Sequence, residues 1–121
     1  MANSEGLHET RDALSPGTID RHRALTSLQE ELEAADWYDQ RVDATQDAEL
    51  ASILAHNRDE EKEHAMMLLE WLRRHDPTLD RHMRTYLFSE EAITGIEAAA
   101  ARDPGGDVPG SLGRGGLKGR S

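Results

Sequence analysis

Leu54-Ala55-His56-Asn57-Arg58-Asp59-Glu60-Glu61-Lys62-Glu63-His64-Ala65 is the stretch that decides how the rest of the chain is read. Steps of three and four from Leu50 pass through Leu54, Asn57, Glu61, His64, Leu68 and Leu72, the repeat of one face of an α-helix. Glu61 and His64 therefore stand one turn apart, at positions where helix packing asks for leucine or isoleucine. An unpartnered carboxylate is costly in such a place, so a compensating ligand is expected. A Glu-x-x-His pair facing the interior is how four-helix carboxylate proteins hold a di-iron or di-manganese centre, and that centre needs two such pairs. This chain has one. Two chains are therefore expected to build one site between them.

Working outward, the helix that carries this pair is predicted from about Ala48 to His75, with Pro77 as its stop. Asp43-Ala44-Thr45-Gln46-Asp47 reads as a short turn, with Thr45 or Asp47 able to cap the helix that follows. Before it, Thr18 or Asp20 is the expected cap of a first helix running to about Ala44. Its apolar stripe is Ile19, Leu25, Leu28, Leu32 and Ala35, continued weakly by Val42. Each helix spans roughly 27 residues, or about 40 Å at the α-helical rise. Two such helices on a short loop form an antiparallel hairpin.

Residues 1–16 are polar and close on Ser15-Pro16-Gly17, and read as a mobile arm. A shorter helix is predicted over Leu79–Phe88, and Ser89–Ala101 is helix-prone but weakly patterned. Residues 17–101 thus make the helical domain, and 102–121 a flexible tail rich in glycine. The fold class is all-α. A lone hairpin covers only one side of each stripe, so dimerisation into a four-helix bundle is expected.

Composition narrows the chemistry. Of 121 residues, 36% are hydrophobic, so the core of one copy is thin. There is no cysteine, which removes disulfides, thiolate metal sites and cysteine nucleophiles. Metal binding must use oxygen and imidazole ligands, the set that suits iron, manganese or zinc. No apolar run approaches the length of a membrane span, and Met1-Ala2-Asn3-Ser4-Glu5 is no secretory signal, so the bacterial cytosol is the expected compartment. Residues 1–101 hold 10 basic and 22 acidic residues, net −12; the tail is net +2, which recovers the overall −10. An acidic body argues against a nucleic-acid partner and favours attraction of cations. No phosphate-binding glycine loop or nucleophile elbow occurs.

Glu31 falls between Leu28 and Ala35 in helical phase, at the border of the first stripe. Glu31, Glu61 and His64 supply two carboxylates and one nitrogen. Doubled across a two-fold axis they give four carboxylates and two imidazoles, whose four negative charges balance two divalent ions. Without metal, such carboxylates repel one another, and the site is expected to hold protons, open, or fail to assemble. Tyr38 lies two turns beyond Glu31 on the same face, placed to hydrogen-bond near the metal or to supply an electron. Glu30, Glu33 and Trp37 share another face by their spacing, where the two acids can draw cations toward Glu31. Met66 and Met67 flank the second stripe and read as packing residues, while His56 reads as surface. These residues alone leave open a di-manganese or peroxide-reducing centre. They also leave open a non-catalytic scaffold whose metal only joins subunits.

Two strings carry a family resemblance. Glu30-Glu31-Leu32-Glu33-Ala34-Ala35-Asp36-Trp37-Tyr38-Asp39-Gln40-Arg41 and Leu54 to Ala65, followed by Glu70-Trp71-Leu72-Arg73-Arg74, resemble the encapsulated ferritins over roughly residues 18–90. The resemblance implies a two-helix half-ferritin whose ferroxidase centre is completed only between two subunits, with two irons per subunit pair and dimers closing into a decameric ring. It implies Glu31, Glu61 and His64 as iron ligands, and Glu30, Glu33 and Trp37 as an iron-access site. The tail string Gly110-Ser111-Leu112-Gly113-Arg114-Gly115-Gly116-Leu117-Lys118-Gly119 is similar to the peptide that docks such ferritins inside an encapsulin shell. Leu112, Leu117 and Lys118 are its targeting residues by that match. Arg114 and Gly116 depart from the family pattern, which has a branched apolar residue and a serine there. The shell protein, rather than nucleic acid or a membrane, is the implied partner, and storage inside a nanocompartment the implied setting.

Overall fold

The computed structural model describes residues 6–102; the tail residues Leu112, Leu117 and Lys118 lie outside them. The described chain is all-helical. A 3-10 turn at Arg11–Ala13 is followed by α1 (Pro16–Ala44), α2 (Ala48–Arg74), α3 (Pro77–Tyr86) and α4 (Ile93–Ala101).

The first helix begins earlier than Thr18 or Asp20. Ser15 is the N-cap: its Oγ accepts from the Thr18 backbone N–H at 3.2 Å, and Pro16 occupies the first helical position. Proline has no N–H to leave unpaired there and its fixed φ suits the helix, so Ser-Pro is a start signal rather than the end of an arm. The turn at Thr45–Asp47 works as its composition suggests. Thr45 closes α1 through its N–H to the Arg41 carbonyl, and its Oγ1 accepts from Asp47 N–H at 3.2 Å. Asp47 caps α2 by accepting from Leu50 N–H at 3.0 Å. Pro77 has two roles, because it stops α2 and also opens α3, capped by Asp76 accepting from Leu79 N–H at 3.0 Å.

Two compact units divide between His75 and Asp76. In the first, α1 and α2 pack as an antiparallel hairpin. Its seam follows one repeat on each helix. On α1, Ala24 and Ala35 are buried, with Leu28, Glu31, Tyr38 and Val42 half-buried between and beyond them. On α2, Ala65 has 0% exposure and Leu72 2%, with Leu54, Arg58, Glu61 and Leu68 half-buried on the same repeat. The seam is thus narrower than the stripes predicted. Leu25 and Leu32 lie half open, as do Ile53, Met66 and Met67, because the partner helix covers only one edge of a wide apolar face. Met66 and Met67 do not pack within the chain as expected. Small side chains at the seam let two helices approach to the short end of the usual 8–10 Å range. An ion pair crosses it, Arg58 to Asp39 at 2.9 Å, and Arg58 also holds Asp59 of its own helix at 3.0 Å.

In the second unit α3 ends two residues before Phe88, and a tight turn follows. Leu87 has φ −72° and ψ 142°, Phe88 has φ 63°, and Ser89 N–H and Oγ both point to the Tyr86 carbonyl, at 3.4 and 2.7 Å. These are the dihedrals of a type II turn, whose third position favours glycine. A phenylalanine there costs on the order of 1–3 kcal/mol. α3 and α4 touch each other. No helix of the described residues is long and apolar enough to cross a membrane.

Candidate metal centre

The helical repeat that places Glu61 and His64 one turn apart brings the His64 Nδ1 to 3.3 Å from Glu61 Oε1. The hairpin supplies the third group, since Glu31 Oε1 lies 3.7 Å from the same Nδ1, across the seam from α1. One ligand atom from each of the three residues falls within 4.8 Å of the others. Donor atoms around one ion at about 2.1 Å sit roughly 3–4 Å apart, so small side-chain rotations close this set on a metal. The donors are two carboxylates and an imidazole, which suits iron, manganese or zinc. The glutamate side chains are 28% and 25% exposed and the imidazole 41%, so the set lies at the seam's edge and opens to one side.

The carboxylates behave as a crowded pair lacking a cation should. Glu31 holds its proton above the usual carboxyl range. The main cause is the hydrogen bond it makes to Glu61, reinforced by burial and by the Glu61 charge and opposed by His64. Glu61 is pushed the other way, first by accepting that hydrogen bond and then by His64, against a desolvation penalty. The two acids are thus pushed apart in proton affinity, and a cation between them would relieve the same crowding.

Not every sequence candidate joins this set. Among the described residues Glu31, Glu61 and His64 form the one group of three with metal-ligand spacing. Glu30 and Glu33 are exposed, as is Trp37 at 52%, on a different face of α1. Tyr38 does lie on the seam face with Glu31, half-buried, and the Arg41 guanidinium sits 5.5 Å from its ring centre. His56 is a surface residue as expected, 3.7 Å from Glu60. His75 stacks on Trp71 with ring centres 3.9 Å apart and its Nδ1 lies 2.8 Å from the Trp71 carbonyl, which closes the end of α2.

Arg58 and Ala65 went unremarked at the sequence level. Ala65 is fully buried beside His64, and Arg58 is half-buried beside the equally half-buried Asn57, so both join the seam around Glu61. The signal was present in the repeat Leu54, Arg58, Glu61, Ala65, Leu68, Leu72, but a charged residue and an alanine do not read as core.

The chain is 57% identical over 129 residues to an encapsulated ferritin-like protein of Rhodospirillum rubrum, across 98% of this chain and 92% of that protein. It is 51% identical over 108 residues to a ferritin-like protein of Thermotoga maritima, across 87% of this chain and 95% of the other. The crystal structure of protein ne0167 from Nitrosomonas europaea superposes with a TM-score of 0.70 at 59% identity, covering 73% of this chain and 97% of that one. A sequence model described as EncFtn-like matches residues 6–90. With most of its length matched and its hairpin shared, the chain belongs to the EncFtn-like family.

Proposed function

We propose that this chain is a ferroxidase, oxidising Fe(II) to Fe(III) at a centre formed when two copies bring their Glu31, Glu61 and His64 together. The observation that carries the reading is the convergence of these three side chains on one open edge of the hairpin, where the two acids crowd each other. Iron enters as substrate. The four carboxylates of a pair neutralise two divalent ions, and each imidazole adds a nitrogen that fixes geometry. The ionised set favours the more highly charged Fe(III). The electrons pass to dioxygen or peroxide. Glu30, Glu33 and Trp37 are proposed as the access site, where exposed acids concentrate Fe(II) before it moves inward.

The half-open apolar residues Ile53 and Met67 on α2 support a second copy as the missing layer. The sequence resemblance supports pairs of this kind closing into a decameric ring. Delivery into an encapsulin shell is supported by the Rhodospirillum relative being an encapsulated ferritin-like protein. It is supported further by a Myxococcus xanthus encapsulin nanocompartment cargo protein, 34% identical over 68 residues that span 56% of this chain and 52% of the other. Leu112, Leu117 and Lys118 are the proposed docking residues of the tail.

The test is Fe(II) oxidation under air by stopped-flow spectroscopy. Glu31→Ala, Glu61→Ala and His64→Ala should each nearly abolish oxidation while leaving helical circular dichroism unchanged, and wild type should bind one iron per chain. Wild-type rates in all three variants would remove the proposed site.

A further inference from the structure

Arg58 is a cation set one turn before Glu61 on the same repeat of α2, and the metal centre does not use it. Residues three apart on a helix face stand about 5–6 Å apart at Cβ, within the reach of an arginine stem. Guanidinium and carboxylate pair readily, through two parallel hydrogen bonds when the fork is free to align. Left to local geometry alone, Arg58 would settle on Glu61 and put a fixed positive charge where a metal must go.

The guanidinium is turned elsewhere. Its Nη1 donates to Asp39 Oδ1 at 2.9 Å across the seam, and its Nε donates to Asp59 Oδ1 at 3.0 Å. The two aspartate side chains are 64% and 63% exposed, while that of Arg58 is 22% exposed. Asp39 lies about two turns beyond Glu31 on α1, towards the inter-helix turn, so its pull on Arg58 runs along the hairpin and away from the centre. Glu61 is left to Glu31 and His64, the groups that lower it. Stability explains little of this arrangement. Bridges to well-exposed carboxylates contribute little to a fold, and one aspartate would serve that end as well as two.

We infer that Asp39 and Asp59 are positioning residues that hold Arg58 off the Glu31–Glu61 pair, and so keep the three-ligand set open to a divalent cation. This role rests on the metal-centre reading above: neither aspartate touches metal, and each acts only through Arg58. Without them the guanidinium swings back to Glu61 and becomes an internal competitor that an incoming ion must displace.

Zn(II) titration of the full chain by isothermal calorimetry tests this as a mutational cycle, with no oxidation step involved. Asp39→Asn combined with Asp59→Asn should weaken binding about 3- to 10-fold. Arg58→Met keeps most of the stem and removes the charge. In the wild-type background it should change affinity by less than about twofold, and in the double variant it should recover the loss. Equal gains from Arg58→Met in both backgrounds would reduce the aspartates to long-range charge and overturn the inference. A loss from Arg58→Met as large as that of the double variant would overturn it too, because the bridge itself would then shape the site. A metal-free crystal structure of the double variant should show Arg58 hydrogen-bonded to Glu61 or Glu31; a guanidinium left in solvent refutes the competition. Wild type that takes up no Zn(II) would remove the metal centre itself, whereas firm wild-type binding with an additive cycle removes only the role of the aspartates.

Discussion

Ala65 is the place where packing and metal chemistry can be pulled apart. It has no exposed surface, follows His64, and lies one turn beyond Glu61 on the seam. Replacing it with leucine adds three carbons where no room exists. Overpacking of this kind costs about 1–3 kcal/mol, and relief comes from α1 and α2 moving apart. Going from an alanine seam toward ordinary side chains widens a helix pair by about 1–2 Å. The Glu31–His64 separation across the seam is 3.7 Å, so the same widening carries Glu31 out of reach of a metal held by α2. Misplacement by about 1 Å can cost a hundredfold in a reaction that depends on geometry.

Ala65→Gly is the matched control, because it loses about 1 kcal/mol of helix propensity without spreading the helices. Both variants should melt about 4–15 °C below wild type in their metal-free forms. Only the leucine variant should lose high-affinity Zn(II) or Co(II) binding by isothermal titration, and with it Fe(II) oxidation. Wild-type metal affinity in Ala65→Leu would show that seam width does not set the site.

Glu70 accepts from Arg73 at 2.8 Å and Arg74 at 2.7 Å and is held down to about 2. A depressed carboxyl stabilises the fold above its unfolded pKa, and that contribution is lost as pH falls from about 4.5 toward 2. Glu70→Gln should therefore show a flatter loss of urea midpoint in that window, converging with wild type near pH 2; parallel curves would refute the assignment. Stripping metal with a chelator should shift the chain toward smaller species by light scattering, and adding Fe(II) back should reverse it. An unchanged mass would separate assembly from metal. Deleting residues 105–121 should leave oxidation intact and abolish co-purification with an encapsulin shell protein, and packaging of the truncated chain would show that the address lies elsewhere.

The hairpin was legible because Asp47, the repeat around Glu61 and Pro77 act through neighbours in sequence, where spacing is all that matters. Ser15-Pro16 misled because proline halts a helix from inside but starts one from its first position. Leu25 and Leu32 were read as core since periodicity marks a broad apolar face without saying which edge the partner takes. The Arg58–Asp39 bridge joins residues 19 positions apart, and no local rule links them. Glu31 sat at the correct border of its stripe, and its meeting with His64 followed once the turn at Thr45–Asp47 fixed how the helices align. That two such acids crowd each other follows from their spacing; that Glu31 is the one raised and Glu61 the one lowered depends on their hydrogen bond, on depth and on His64.

Among the described residues four apolar side chains are buried, and three of them are alanines. So little sequestered surface leaves a solitary copy close to the margin between order and collapse. If a second copy supplies the missing layer, as proposed, abundance itself becomes a regulator. Newly synthesised copies at low concentration would be easy prey for proteases, while crowded ones protect each other, so turnover of the protein should track how much of it the cell has made.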